Sequence, residues 1–279
     1  MYLKILSCGA GMQSTALALM SCENVKNPEK FPMVPVYDLV CFCDLGKEPP
    51  WVMKQVNFVK QACENAEIKF VILKSPLYED YLKNFGHQRV VSVPFWTVNE
   101  DGKKGKMLRN CTLEYKINLI QKYVRWEILG YKKGQRTKPE DMKIHEMHIG
   151  FSYEERRRCR ENPHKMFYNV FPLVDMKLER KDNYAYIKDV WGLETKASAC
   201  TFCPFHRNYF FQYLKTNAKQ EYRDLVAFDH LLETEQPNTK ITSKLYISRS
   251  RKRIAELSEE ECNDAEYFPY GEQQVWNGF

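Results

Sequence analysis

The chain has 279 residues, 44% of them hydrophobic, with 42 Lys and Arg against 36 Asp and Glu and a formal net charge of +6. That is enough for one large domain, or a domain with an appendage, around a sizeable core. The mild positive excess suits anionic ligands such as nucleotides and does not by itself establish nucleic-acid binding. No apolar stretch approaches the roughly 20 residues that span a bilayer, and the run from Met1 to Leu6 is too short for a signal h-region. A cytoplasmic chain with no membrane partner is therefore expected, and its 10 cysteines are expected as thiols rather than disulfides.

In chain order, residues 2–7 predict a buried strand and residues 14–22 a helix opened by a Ser/Thr cap. A second strand is predicted from Asp38 to Cys43, ending at Asp44. Pro49-Pro50 starts a helix over Trp51 to Asn65, and Ile68 to Leu73 is a third strand. This alternation predicts a doubly wound, mostly parallel α/β sheet that binds ligands beyond the carboxyl ends of its strands. Residues 84–110 read as a long Gly- and Lys-rich loop, 111–130 as a helix, 131–144 as an exposed connection and Glu146 to Gly150 as a fourth strand. Residues 182–191 and Asn208 to Glu235 read as helical, and the tail after Leu257 as acidic, then loop-like. The division expected is an α/β domain over 1–205 and a helical extension over 206–279.

Between the first strand and first helix lies Ser7-Cys8-Gly9-Ala10-Gly11-Met12-Gln13-Ser14-Thr15. Glycines permit a tight turn there, and the amides of the helix start, aided by the helix dipole, can hold a phosphate. The hydroxyls of Ser14 and Thr15 add donors. An ordinary strand-to-helix turn is the competing reading, since the loop is neither a Walker loop nor a Gly-x-Gly-x-x-Gly fingerprint. Asp44, at a strand end, suits a ribose hydroxyl, a nucleotide-bound Mg²⁺ or a plain turn. Arg109 and Lys116 bracket Cys111 and would neutralise an anion. Arg156, Arg157, Arg158 and Arg160 are either a second anion-binding cluster or a solvated face. Cys200-x-x-Cys203 is half of a metal site or a redox pair, with Cys111 and His206 as further ligands. Cys8, Cys22, Cys41, Cys43 and Cys63 sit in apolar or helical contexts and read as core. Ser248 to Arg253, Lys103 to Lys106 and Lys132 to Lys138 are basic runs that would track a polynucleotide or simply face solvent.

The first loop resembles the PP-loop of ATP pyrophosphatases and sulfonucleotide (PAPS) reductases, usually Ser-Gly-Gly-x-Asp-Ser. Here Gln13 stands for the Asp and Gly9 for the first Ser. It is more similar to phage and bacterial proteins of the PAPS reductase family, in which Gly-Ala-Gly-x-Gln-Ser-Thr is typical. The resemblance continues in family order through Phe42-Cys43-Asp44-Leu45-Gly46-Lys47-Glu48-Pro49, the segment Arg109 to Ile117, the turn Ile149 to Arg157, Phe171 to Asp175 and the stretch Ser198 to His206. It implies an adenine nucleotide alpha hydrolase-like fold and ATP with Mg²⁺ as ligand. Nucleotide contacts are implied at Ser7, Gly9, Gly11, Gln13, Ser14, Thr15, Asp44, Gly150 and Arg157, and catalytic roles at Arg109, Lys116 and Arg156. A 4Fe–4S cluster or Zn is implied on Cys111, Cys200, Cys203 and His206, with Cys159 as an alternative closing ligand.

The activity implied is ATP-dependent adenylation of an acceptor for sulfur or nitrogen transfer, the acceptor being a nucleic-acid base in one version. Partners would be the nucleotide and a nucleic acid or sulfur donor; the oligomeric state stays open, a homodimer included. The alternative is thiol-dependent sulfonucleotide reduction. Reductases carry a C-terminal Glu-Cys-Gly-x-His-like segment, whereas this tail reads Glu259-Glu260-Glu261-Cys262-Asn263-Asp264 without the Gly and His. Its acidic flank would raise the Cys262 thiol pKa. A non-catalytic nucleotide-binding module is the third reading.

Overall fold

The computed structural model describes residues 2–263. The loop-like end expected of the tail falls beyond them, outside the described residues. The fold is α/β: a five-stranded sheet in the order β3-β2-β1-β6-β7 with flanking helices, and a helical C-terminal region. Its strands are β1 (Lys4–Cys8), β2 (Leu39–Asp44), β3 (Phe70–Lys74), β6 (His145–Ile149) and β7 (Phe167–Val170). β1 pairs in parallel with β2 (Ile5 opposite Leu39) and with β6 (Ile5 opposite Met147), and β6 pairs in parallel with β7. A second sheet, β5-β4-β8, joins β4 (Trp96–Val98) in antiparallel pairing to β5 (Lys104–Lys106) and β8 (Lys244–Tyr246).

The helices are α1 (Met12–Lys26), α2 (Pro50–Asn65), α3 (Leu77–Asn84), α4 (Asn118–Tyr123), α5 (Pro172–Asp175), α6 (Arg180–Trp191), α7 (Asn208–Asn217), α8 (Lys219–Glu235) and α9 (Glu259–Cys262). α4 is flanked by π-helical turns at Leu113–Ile117 and Val124–Ile128, so the single helix expected over 111–130 is three segments. The expected helix from 208 to 235 breaks at Ala218, whose backbone leaves the helical region. The expected loop 84–110 contains β4 and β5, and β7 had no expectation at all. The reason is length: strands of three or four residues leave no periodicity to read, and β5, Lys-Gly-Lys, has no apolar residue to mark it.

The chain groups into two compact units that alternate along the sequence. The first comprises residues up to 43, 51–73 and 119–198; the second comprises 44–50, 74–118 and the chain from 199 onward. The sequence reading drew one boundary at 205/206; these units follow a different line, with crossings at the carboxyl ends of β2 and β3.

In the first unit the strand alternation sorts side chains into two layers. Leu39, Cys41 and Cys43 of β2 pack with Ile5, Met147, Phe167, Ile120 and Val124 on one face. Phe42 packs on the other with Ala10, Val52 and Val56, so α2 covers that side. α1 is buried nearly all round, which is why its sequence, Ala-Leu-Ala-Leu-Met, shows no polar stripe. The five cysteines read as core, Cys8, Cys22, Cys41, Cys43 and Cys63, are all buried.

In the second unit an aromatic core surrounds Phe228 of α8, which is fully buried. Its ring lies 5.0 Å from Phe202, 5.3 Å from Tyr78, 5.7 Å from Tyr81 and 6.3 Å from Phe95, between centroids. Phe210 and Phe211 of α7 are buried, whereas Tyr209 is exposed. No helix among the described residues is long and apolar enough to cross a membrane.

Phe228→Ala should cost about 3–5 kcal/mol through the cavity left among four rings. A urea titration followed by tryptophan fluorescence checks this; a loss below about 1 kcal/mol would show that the aromatic cluster does not hold the unit.

Candidate functional site

A candidate phosphate cradle lies in the first unit at the carboxyl end of β1, where residues 9–11 join that strand to α1. The left-handed turn residue there is Ala10, with φ 53°, and neither Gly9 nor Gly11 has a positive φ. The turn therefore does not depend on a positive φ at either glycine. A Cβ on Gly9 would meet only Ser198 and Ser14 hydroxyls at 3.9 and 4.0 Å. Gly11 is the N-cap of α1 and, being glycine, offers no side-chain cap hydrogen bond to that helix end.

Two clamps fix the loop. The Ser14 hydroxyl accepts from Gly9 N–H at 3.1 Å and donates to the Gly11 carbonyl at 3.3 Å, tying the turn to itself. Gln55 of α2, buried, donates to the carbonyls of Ala10 at 2.6 Å and Lys196 at 3.1 Å and accepts from Lys196 N–H at 2.5 Å. Gln55 and Ser198 were not singled out in the sequence. One polar residue in an amphipathic helix and one serine in a loop give no signal until the fold brings them to Gly9 and Ala10.

Gly150, just past β6, answers a closer constraint. A Cβ there would lie 2.7 Å from the Ser14 amide nitrogen and 3.0 Å from Gln13 C and Ser14 Cα, so only glycine lets the end of β6 rest on the start of α1. The next turn reaches back as well. Gln13 donates to Glu155 at 2.9 Å, and Glu155 also takes Arg180 at 3.0 Å, Arg158 and Ser152. The amide at 13 is thus neutral because its partner is already a carboxylate; an Asp there would oppose Glu155.

Of the remaining expected contacts in this unit, Ser7 lies within β1 opposite Cys41 and Ile149. Thr15 is fully buried, its hydroxyl without a hydrogen-bond partner among the described residues. Arg156 is exposed and lies over the Tyr153 ring at 4.7 Å. Arg157 is exposed too.

The second unit gathers Asp44, Arg109, Cys111, Lys116, Cys200, Cys203 and His206. Asp44 accepts from Gly46 N–H at 2.8 Å, the turn-forming use of its carboxylate. Phe202, fully buried in the aromatic core, anchors the Cys200-x-x-Cys203 turn between the two thiols. The Cys200 carbonyl accepts from Cys203 N–H at 3.0 Å and meets His206 Nε2 at 2.9 Å, so this His206 nitrogen braces the turn. The His206 ring stacks on Phe210 at 3.4 Å.

The thiols are electrostatically unequal. The Cys200 S–H donates to Cys203, which with His206 and Arg109 holds the Cys203 thiol well below its ordinary range, while Cys200 is pushed up. Burial raises Cys111, then the neighbouring Cys203 does, against Arg109 and Lys116. Glu48 is a residue that the sequence reading missed. Both its carboxylate oxygens are buried without a hydrogen-bond partner of normal geometry among the described residues. Burial pushes its pKa up to about 7, with Lys116 opposing, and Asp44 and Cys203 adding to the rise. Its signal, one acid before two prolines, resembles any helix start.

Among the described residues, no group of three or more His, Cys, Asp or Glu side chains stands ready to hold a metal ion. The expected ligands share one unit without forming a closed shell. Cys159 belongs to the first unit, and Cys262 is buried at the end of α9.

Gly150→Ala should lower stability by about 1–3 kcal/mol from backbone overlap, whereas Gly9→Ala should stay within about 0.5 kcal/mol. Thermal melts of the pair check this, and equal melts would refute the close approach. Glu48 holds its proton more tightly folded than unfolded, so the metal-free protein should lose stability as pH rises from about 4.5 through 7. Glu48→Gln should remove that slope and be more stable at pH 8 by up to about 3 kcal/mol. Parallel pH-stability curves for both proteins would contradict the burial.

No family model matches the chain, and no curated protein matches it. Among solved structures it is similar to the U34-tRNA thiolase NcsA from Methanococcus maripaludis with its 4Fe–4S cluster. The identity is 15% and the TM-score 0.39, over 91% of this chain and 79% of that one.

Proposed function

We infer that the protein is a PP-loop enzyme of the PAPS reductase-like kind that uses ATP to adenylate an acceptor and then transfers sulfur to it. The observation that carries this is the start of α1, a 15-residue helix that Gly11 opens without a side-chain cap at the carboxyl end of β1. Such an end favours a phosphate through its amides and dipole. ATP would enter as its Mg²⁺ complex, with Gly9, Gly11 and Ser14 lining its phosphates and Asp44 offered to the ribose or the ion. An acceptor oxygen attacks the α-phosphorus, the bond to the β-phosphate breaks, and pyrophosphate leaves. Cationic Arg109, Lys116 and Arg156 are the residues proposed to offset the charge that develops.

The second half of the reaction belongs to Cys203. A thiol that a neighbouring thiol and nearby cations hold low can carry a sulfane sulfur taken from a persulfide donor. That sulfur attacks the activated acceptor carbon, the carbon–oxygen bond to the adenylate breaks, and AMP departs with the oxygen. A donor thiol then reduces the remaining disulfide bond. No step is assigned to a metal, because the described thiols form no closed shell. Cys262, buried, does not suit the exposed nucleophile that the sulfonucleotide-reductase alternative requires.

Incubation with ATP, a persulfide donor and a pool of nucleic-acid acceptors should release AMP and pyrophosphate and thiolate the pool. Cys203→Ser should lower sulfur incorporation by on the order of 10³-fold, the scale of losing a nucleophile, while pyrophosphate release persists. ATP binding without pyrophosphate release for any acceptor would favour the non-catalytic module. Sulfite release from PAPS by the wild type, undiminished in Cys262→Ser, would place reduction on another thiol and overturn the transferase.

A further inference from the structure

The first unit contains a cavity of about 700 Å³ lined by Arg125, Gln135, Arg136, Thr137, His164 and Lys165 among others, with no carboxylate in its lining. It lies at the end of the sheet opposite the cradle. β6 begins at His145, next to the lining residue Met142 on one side, and ends at Ile149 beside Gly150 and Ser14. Five strand steps, roughly 16 Å, separate the two.

The walls are built. Arg125 donates to the Gln135 carbonyl at 2.7 Å and to Thr137 Oγ1 at 3.1 Å, and its guanidinium lies 4.9 Å from the Tyr131 ring centre. Tyr131 in turn donates to Asp141 and accepts from Lys138 N–H at 3.1 Å. Gly134, with φ 81°, turns the loop so that Lys132 and Gln135 bond each other twice. The opposite wall is held by Lys143, which donates to the carbonyls of Asn162 at 2.6 Å and Phe167 at 3.0 Å.

The charge in this cavity is unbalanced. The side-chain partners of Arg125 are neutral: a carbonyl, a hydroxyl, a thioether and a ring. Arg136 and Lys165 are exposed at the cavity and have no carboxylate partner among the described residues. Asp141 is engaged by Tyr131, and Glu140 by Lys138 at 3.9 Å. His164 accepts from Met166 N–H at its Nδ1, 3.2 Å away, which leaves the ring proton on Nε2 as a donor. Exposed Lys132 and Lys133 continue the positive charge outside.

We propose that this cavity is a second anion site, separate from the ATP cradle, that takes a phosphate-ester group. Arginine forks match phosphate oxygens, and three cations with hydroxyl and imidazole donors suit a group that carries more than one negative charge. The volume admits a nucleotide-sized moiety. The sources of such a group are a polynucleotide backbone and a free phosphate monoester. The site stands independently of the ATP reading.

The test uses the full chain and the doubly reversed variant Arg136→Glu with Lys165→Glu, both positions exposed and outside the core. A labelled single-stranded RNA, AMP and inorganic phosphate are titrated, with ATP binding followed by calorimetry as the control for fold and cradle. For a backbone source, the variant should bind RNA about 10-fold or more weakly and lose roughly 1–2 units of salt slope, since each phosphate contact on a single strand contributes about 0.7. For a monoester source, AMP and phosphate should shift the His164 ring resonances in the wild type and not in the variant, with RNA affinity unchanged. Identical RNA affinity and salt slope in both proteins, together with no His164 shift by AMP or phosphate, would overturn the proposal. Loss of ATP binding in the wild type would instead count against the cradle and leave this site standing.

Discussion

The contact between Gly150 and the backbone of Ser14 organises the first unit. A hydrogen in place of a methyl group there lets the end of β6 lie against the opening turn of α1. The turn after β6 can then deliver Glu155 to Gln13, and Glu155 in turn collects Arg158 and Arg180. Shifting β6 by a methyl's width would draw Glu155 away from Gln13, while its partners Arg158 and Ser152 lie on its own turn.

That network gives the substitution at position 13 a physical meaning. A loop of this type with Asp has a charged side chain at the helix start. Here the charge has moved to Glu155, four residues beyond Phe151, and position 13 is a neutral donor that binds it. The net carboxylate count near the loop is kept while the start of α1 gains no negative charge of its own. This favours phosphate at that end.

In the second unit several thiols share an apolar setting and are held unequally. Burial alone raises thiol pKa values, as it does for Cys111 and for Cys41 in the first unit. Cys203 escapes because a neighbouring thiol donates to it and cations stand close. The geometry depends on Phe202, seated among the rings around Phe228, and on His206 holding the Cys200 carbonyl. Glu48 adds a buried carboxyl that is proton-loaded near neutrality.

Long apolar segments determined most of the architecture. β1, β2, α1 and α2 are readable because their patterns persist for several residues and end at Gly, Asp or Pro, so local physics is enough. The loop sequence likewise marked Gly9 to Thr15 as a phosphate cradle, and the cysteine spacing marked Cys200 and Cys203. Only the tertiary structure decided which glycine is sterically required, that Ala10 takes the left-handed turn, and that Gln55, Phe202 and Glu48 support the two centres. It also decided that Arg125, Arg136, His164 and Lys165 share one cavity. Each of these depends on residues distant in sequence meeting at van der Waals range. Spacing along the chain carries no information about such meetings, because the sheet order that creates them joins β1 to β6 across more than half the chain's length.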